Sequence, residues 1–382
     1  MTRPTHAATF RALPANNLPA AALLSRISDE DEEIAPSDEW IGRVLCPSGG
    51  SRDGRPAPAA GSLHRVLRPA QPVRQQAAPK GQPLDTGIAA IDLFAPMTGG
   101  QRIAMLARGG ASRAGLFGML GRFTDRDVVV IGLIGLAERD VRELVQNQLG
   151  AEGMSRAVVI AAFDEDGPVM RRRAAWAALT IAEHFRDAGK HVLCLLDSIS
   201  EFADACRELS VDAGEVRNAF AYTPHIFDEV HRLISRAGIL PGGPGEMTGI
   251  FAVSESADRP DDLLVSAVSE MVDDRIVLDR EIAAKGRFPA IDLLDRAHRD
   301  PPAIETGTDH EKTQLIAAAH AELSLCSNME ELVRLGAYTP GRNAEVDRAL
   351  SCAPAIENLM KQSRRERRDS AAALAELKGC LS

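Results

Sequence analysis

The stretch GQRIAMLARGGASRAGLFGML, from Gly100 to Leu120, decides the fold of this 382-residue chain. The apolar run Ile103–Ala107 predicts a buried strand, the two glycines that follow predict a turn, and the last residues predict a helix. This order is the one in which nucleotide-binding proteins cradle a phosphate. The motif for that chemistry is G-x-x-x-x-G-K-[ST], whereas the chain has Ala107 at the first glycine and Ser112-Arg113-Ala114 at the end. The setting predicts a phosphate loop, but the working residues differ.

Three similar strands follow along the chain. VVVIGLIG (Val128–Gly135), AVVIAAF (Ala157–Phe163) and HVLCLLD (His191–Asp197) are continuous apolar runs separated by amphipathic helices. Such runs are typical of a mostly parallel sheet that is covered on both faces. The sequence therefore predicts an α/β core.

The helix predicted from Pro168 to about Gly189 has a small apolar face. Ala174, Ala178 and Phe185 recur at helical spacing on that face, which predicts close packing against the sheet. We expect the three arginines Arg171–Arg173 to lie on a solvated or interface-facing edge.

Composition changes along the chain predict four regions. Residues 1–39 are Ala/Pro-rich and then acidic, which predicts a poorly ordered arm. Residues 40–83 are predicted as a Pro/Gly-rich linker with short strands, residues 84–302 as the α/β core, and residues 303–382 as a helical domain. The helices predicted in that last domain are Glu311–Leu325, Met329–Leu335, Ala344–Arg368 and Ala371–Lys378.

Charge and composition exclude several classes of function. A net charge of −10 argues against binding to nucleic acid or to an anionic membrane. No stretch predicts an integral membrane segment or a signal peptide. The six cysteines are scattered and the histidines show no ligand spacing, so we expect reduced thiols, no metal site of that kind and a cytoplasmic location.

One basic run stands out near the C-terminus. It lies within the helix predicted to end at Arg368, beside Glu366 and Asp369, and no aromatic residue is near it. We interpret it as a solvated helix face rather than as a nucleic-acid site. Its members are Lys361, Arg364, Arg365, Arg367 and Arg368.

Four segments together resemble the flagellar and type III secretion export ATPases, relatives of the catalytic head of rotary ATP synthases. They are DTGIAAIDLFAPMTGGQRIAML, VMRRRAAWAALTIAEHFRDAGKHVLCLLDSISEFA, RIVLDREIAAKGRFPAID and ELVRLGAYTPGRNAEVDRAL. The likeness extends from about Trp40 to about Leu359. It implies a RecA-like P-loop core, a short or incomplete N-terminal β region and an all-helical C-terminal domain.

In this family the phosphate loop reads approximately G-S-G-V-G-K-[ST], and it aligns without a gap on Arg108 to Ala114. The resemblance thus implies a degenerate nucleotide-binding loop formed by Arg108, Gly109, Gly110, Ser112, Arg113 and Ala114. The family's lysine falls on Arg113 and its Mg²⁺-binding hydroxyl on Ala114, which has no oxygen. Two interpretations remain open. Either the glycine backbone and the two arginines still hold an anion, or the loop has decayed and Arg108 fills the vacated space.

The resemblance also assigns positions outside the loop. Leu136 stands where the family has the glutamate that activates water, and a leucine cannot do so. Glu138 lies two residues further on, at a helix start, where a helix-dipole role is the plainer interpretation. Asp197 matches the second carboxylate, which holds Mg²⁺ through water, although it can equally cap the next helix. Arg299 falls at the arginine that reaches into a neighbouring subunit's site.

These positions predict a component of a flagellar or type III export apparatus whose ATP hydrolysis is lost or strongly reduced. ATP and Mg²⁺ are then expected to bind weakly or not at all. The resemblance implies export-apparatus partners, a homo- or hetero-oligomer with related subunits, and a position peripheral to the inner membrane at the export gate. The alternative is a working export ATPase that uses Arg113, Asp197 and Glu138, with Arg299 acting across subunits. An RNA translocase with the same core is disfavoured by the net charge.

Overall fold

The computed structural model describes residues 33–68, 81–212, 222–255, 262–295 and 308–381. Its strands are β1 (Glu33–Ile34), β2 (Arg43–Leu45), β3 (Arg65–Val66), β4 (Pro83–Leu84), β5 (Met97–Thr98), β6 (Arg102–Arg108), β7 (Val128–Leu136), β8 (Ala157–Phe163), β9 (His191–Asp197), β10 (Gly238–Ile239), β11 (Glu246–Glu255) and β12 (Asp274–Asp279). Its α-helices are α1 (Ala89–Phe94), α2 (Ala114–Phe123), α3 (Glu138–Glu143), α4 (Gly150–Met154), α5 (Pro168–Asp187), α6 (Ile199–Asp212), α7 (Pro224–Ile234), α8 (Leu263–Met271), α9 (Arg280–Ala284), α10 (Thr308–Arg334), α11 (Ala344–Leu359) and α12 (Ser370–Leu381). A π-helical stretch, Leu144–Leu149, joins α3 to α4.

The central sheet has the order β12-β6-β11-β9-β7-β8-β2, and the short β10 pairs antiparallel with β11. All neighbours along the main path run parallel. Successive residues of β7 point to opposite faces, so Val129 and Ile131 enter one core cluster while Val128 and Val130 enter the other. Both faces are therefore covered, which confirms the predicted α/β class.

The region predicted as a linker contributes a strand to this sheet. β2 pairs parallel with β8 at the sheet edge, and Leu45 is fully buried. The Arg43 guanidinium holds this segment by a 2.8 Å bond from Nε to Asp53 Oδ2. Most of the arm predicted over residues 1–39 lies outside the described residues.

Helix α5 packs on the sheet as its small apolar face predicts. A Cβ added to Gly132 of β7 would lie 2.9 Å from the Ala178 Cβ, so the helix approaches too closely for any larger residue there. The prediction of a solvated arginine edge is wrong in part. Arg172 and Arg173 are buried, and Arg173 Nε donates to the Pro47 carbonyl at 3.2 Å, because the chain around β2 covers this end of the helix.

The C-terminal region is helical, with two differences from the predicted boundaries. The first two predicted helices form the single helix α10, and α11 ends at Leu359 instead of Arg368. Helix α11 ends there because hydrogen bonds hold Gln362 against the core. The Gln362 amide donates to the Phe288 carbonyl at 2.8 Å, and its side chain donates to the Gly87 carbonyl at 2.7 Å. No helix among the described residues is long and apolar enough to cross a membrane.

Candidate functional site

The candidate site lies at the carboxyl ends of the parallel strands β6, β7, β9 and β11. The loop between β6 and α2 turns through Gly109 and Gly110, whose φ angles of 62° and 77° favour glycine. Asp197 closes β9, and Ser254 lies near the end of β11 beside Ala107. Strand order therefore brings loop, carboxylate and hydroxyl together, as parallel sheets commonly do.

Arg113 occupies the centre of this site. Its Nε lies 2.8 Å from Asp197 Oδ1, and its Nη1 donates to Ser254 Oγ at 2.8 Å. Neither Arg113 Nε nor Asp197 Oδ1 has a hydrogen-bond partner of good geometry, so their contact is an ion pair rather than a directed bond. Arg113 also stands at the N-cap of α2, where a cation costs about 0.3–1 kcal/mol. The pairing with Asp197 offsets that cost.

Asp197 is a buried carboxylate whose charge depends on this arginine. Burial raises the pKa of Asp197 above its ordinary value, and the neighbouring Arg113 charge opposes the rise. The Asp197 side chain is 7% exposed and the Arg113 side chain 19% exposed. The pair therefore lies in a setting where removal of either partner is costly.

Arg108, the first residue of the loop, is directed to a different set of carboxylates. Its Nη2 lies 2.8 Å from Asp295 Oδ2 and its Nε 3.2 Å from Glu255 Oε2. Asp279 and Asp292 approach Nη1 to 3.8 Å and 3.7 Å. The two arginines predicted to flank the glycines are thus each held by acidic side chains, through separate contacts.

We predict that Arg108→Ala lowers the free energy of unfolding by about 1 kcal/mol, and that added salt reduces the difference. The loss is modest because the Arg108 side chain is 38% exposed, although four carboxylates would then face one another. Urea denaturation at low and high salt measures both effects. A loss that is unchanged by salt would contradict an electrostatic role for Arg108.

The two positions at the end of β7 do not supply a water-activating carboxylate. Leu136 is half-buried and packs against the apolar core cluster on the α2 face of the sheet. Glu138 is exposed and pairs with Arg142 one helical turn away, at 2.6 Å. Glu138 therefore lies at the start of α3, where its charge can interact with the helix dipole, and its partner Arg142 lies outside the loop.

Glu201 is a carboxylate at this site for which the sequence suggested no role. A Cβ on Gly135 would lie 2.7 Å from Glu201 Oε2, so the carboxylate covers the end of β7. Burial and the nearby Asp204 raise the pKa of Glu201, while Arg171 and Arg113 oppose the rise. The only signal in the sequence is that an acid stands four residues after Asp197.

Three other features complete the account of the predicted residues. Ser112 and Ala114 lie in the loop and at the start of α2. Arg299 lies outside the described residues. Among those that are described, no group of three or more His, Cys, Asp or Glu side chains is arranged to hold a metal ion.

Sequence comparisons match both halves of this architecture. Residues 87–296 match the nucleotide-binding domain of the ATP synthase alpha/beta family, and residues 308–379 match the type III secretion EscN ATPase C-terminal domain. The chain belongs to the flagellar and type III secretion ATPase family. A flagellum-specific ATP synthase of Caulobacter vibrioides is 37% identical over 89% of this chain and 77% of its own length. The SPI-2 type 3 secretion system ATPase of Salmonella typhimurium is 35% identical over 87% of this chain and 76% of its own length.

Solved structures of export ATPases have the same fold. A prototypical ATPase from the type III secretion system of pathogenic bacteria superposes with a TM-score of 0.82 at 30% identity, over 92% of this chain and 100% of that one. EscN from enteropathogenic E. coli, solved as an assembled ATPase in complex with its central stalk EscO, superposes with a TM-score of 0.81 at 30% identity. That match covers 92% of this chain and 83% of EscN. The RecA-like core and the helical domain α10–α12 are thus those of an export ATPase.

Proposed function

We propose that this chain is an export-ATPase family member that has lost hydrolysis and serves a flagellar or type III export apparatus as a structural or regulatory subunit. The observation that carries the proposal is the contact between Arg113 and Asp197. At the family's position for a phosphate-binding lysine this chain has Arg113. The Arg113 guanidinium pairs with Asp197, the carboxylate that would hold Mg²⁺ in the family.

The residues present do not fit Mg²⁺-ATP in the way that phosphoryl transfer requires. Ala114 offers no hydroxyl for the metal, and a guanidinium already neutralises Asp197. Arg108, the other cation of the loop, is held among four carboxylates, which would repel a nucleotide phosphate. The described residues of the site therefore offer neither a free cation nor the metal-binding hydroxyl that stabilise the transferred phosphoryl group.

Catalysis also lacks a base at the family position. Leu136 carries no charge, and Glu138 is engaged with Arg142 in solvent. Loss of a positioned base costs about 10²- to 10⁴-fold in rate, and this loss adds to that of the electrostatic groups. Hydrolysis is expected to fall to the background level.

The test is steady-state hydrolysis of ATP with Mg²⁺ by the purified full chain. We expect a rate no higher than that of the Arg113→Ala variant, with the flagellum-specific ATP synthase of Caulobacter vibrioides as the positive control. The variant Arg113→Lys keeps the positive charge and serves as a second reference that is expected to fold. Turnover of about 1 s⁻¹ or faster, abolished by Arg113→Ala, would overturn the proposal.

The second candidate is a working ATPase, and the position of Glu201 is what favours it. This carboxylate covers Gly135 at the end of β7, one residue before the position of the family's glutamate. If Glu201 and Asp197 serve a bound nucleotide, calorimetry with a non-hydrolysable analogue will show binding that strengthens when Mg²⁺ is added and disappears in Asp197→Asn. Absence of any Mg²⁺-dependent binding at millimolar nucleotide removes this candidate.

The partners that we propose are export-apparatus proteins and related ATPase subunits. EscN has been solved as an assembled ATPase, alone and with its stalk EscO. An oligomer of this chain, alone or mixed with an active relative, would give Arg299 a neighbouring site to reach. We place such an assembly in the cytoplasm, at the export gate on the inner membrane.

A further inference from the structure

A cavity lies at the amino ends of the parallel strands, on the opposite side of the sheet from the phosphate loop at their carboxyl ends. It has a volume of about 630 Å³ and is bordered by the segments that lead into β7 and β8 and by the loop between α11 and α12. The charged side chains that line it are Arg122, Arg156, Arg365, Arg367, Asp125 and Glu152. Four arginines thus face two carboxylates.

The loop after α11 contains the basic run that the sequence placed on a helix, and it is firmly docked. Gln362 bonds to the backbone of Gly87 and Phe288, and the Arg368 amide donates to the Gly87 carbonyl at 3.0 Å. Arg367 pairs with Asp85 at 2.5 Å. Arg365 is therefore presented to the cavity by a loop that is fixed on both sides.

Among the described residues, three of the four cavity arginines are not held in salt bridges. In the part of the chain that the structure describes, neither Arg122, Arg156 nor Arg365 forms a salt bridge, and Asp125 is committed to Arg126 at 2.8 Å. The Arg156 guanidinium donates to backbone carbonyls at the end of α2, including that of Thr124 at 2.6 Å. Glu152 and Asp125 interact with the Arg156 charge without forming a salt bridge.

Two further observations indicate that an anion would be stabilised here. The buried Arg122 Nε has no hydrogen-bond acceptor, which is costly for a guanidinium nitrogen. Burial lowers the pKa of Arg122, Glu152 opposes this shift, and Arg365 adds to it. Burial also lowers the pKa of Arg156, with Glu152 and Asp125 opposing the shift and Arg367 adding to it. Each charged form is disfavoured by crowding that a bound anion would relieve.

We propose that this arginine-lined cavity is a binding site for a small oligophosphate anion, either free or as the phosphate chain of a nucleotide. Guanidinium groups match phosphate oxygens in pairs. Four arginines against two carboxylates, with three of the arginines outside any salt bridge among the described residues, suit a ligand with several negative charges better than a single carboxylate. This site is separate from the degenerate loop and does not depend on the loss of hydrolysis.

The experiment is calorimetry on the full chain with tripolyphosphate, pyrophosphate, ADP and orthophosphate, without Mg²⁺ and at about 50 mM salt, where screening is weak. We expect tripolyphosphate and pyrophosphate to bind and orthophosphate to bind at least about tenfold more weakly. If pyrophosphate binds more tightly than ADP, the natural ligand is a free oligophosphate. If ADP binds as tightly as pyrophosphate or more tightly, the ligand is a nucleotide. Both orders support the site.

Variants locate the binding. Arg365→Ala removes an exposed side chain and should weaken tripolyphosphate binding about tenfold or more. Arg139→Ala, which changes an exposed arginine on α3 at the opposite ends of the strands, is the matched control and should leave affinity unchanged. No binding of tripolyphosphate at about 1 mM would overturn the proposal. Equal affinity of Arg365→Ala and the native chain, or an equal loss in Arg139→Ala, would overturn it as well.

Discussion

Arg113→Ala is expected to lower the free energy of unfolding by about 3–5 kcal/mol at neutral pH. The substitution leaves the Asp197 carboxylate buried without its counter-charge, and the effect of that isolated charge exceeds the small gain from removing a cation at the start of α2. Urea denaturation of the native chain and the variant measures the difference. The double variant Arg113→Ala/Asp197→Asn should recover much of the loss, because no uncompensated charge remains.

The loss should depend on pH in a defined direction. Burial already raises the pKa of Asp197 above its unfolded value of about 3.9, and removal of Arg113 removes the charge that opposes the rise. A carboxyl group with a raised folded pKa stabilises the fold below the unfolded pKa and loses that stabilisation as pH rises through the folded pKa. The gap between the native chain and Arg113→Ala should therefore be smallest near pH 4 and largest at pH 7 and above.

The control for this prediction is Arg139→Ala, whose side chain is 87% exposed. It should change stability by no more than about 0.5 kcal/mol at any of these pH values. A loss in Arg113→Ala that is as small as this control, or that grows toward acid pH, would be inconsistent with the proposed charge pair.

Arg126→Met is the second substitution for which we expect a large loss, again about 3–5 kcal/mol. Arg126 is almost fully buried, pairs with the equally buried Glu246 at the amino edge of the sheet, and donates to the Pro83 carbonyl at 3.0 Å. Methionine fills a similar volume but leaves the buried Glu246 carboxylate without its guanidinium partner, and among the described ion pairs Glu246 then keeps only its 3.1 Å contact with the half-exposed His191 ring. Thermal and urea unfolding measure the effect.

A comparison with a more exposed ion pair makes this test specific. Arg102→Met breaks a pair with Asp273 in which both side chains are about one-third exposed, and it should cost no more than about 1 kcal/mol. Adding Glu246→Gln to Arg126→Met should restore part of the stability. If Arg126→Met and Arg102→Met lose the same amount, burial is not what makes the Arg126 pair important.

Most of the fold could be predicted from local pattern. The apolar runs of β7, β8 and β9 are long and uninterrupted, which specifies buried parallel strands, and the small face of α5 specifies close packing on them. The strand β2 lies in the region predicted as a linker with short strands, but its place in the central sheet was not predicted, because the strand is three residues long and surrounded by proline and glycine. Its pairing depends on β8, more than a hundred residues away, and no local signal records that.

The site was predictable only in part for the same reason. The alignment of the loop identified Arg113 and Asp197 as the residues to compare, but not that their side chains meet, since 84 positions separate them. The carboxylates around Arg108 come from three segments distant in sequence. Burial of Arg172 and Arg173 likewise follows from the chain around β2, whereas helical periodicity places both arginines on a polar edge.

The docking of Gln362 has a mechanical consequence. Its amide and side chain bond to Phe288 and Gly87 on the core, and the Ala89 amide donates back to Gln362 Oε1 at 3.2 Å. Bending between α11 and α12 at this point would break all three bonds inside the protein, where water cannot replace them. Among the described residues, these three bonds fix the chain between α11 and α12 to the core, so α11 and α12 keep one orientation relative to Gly87 and Phe288.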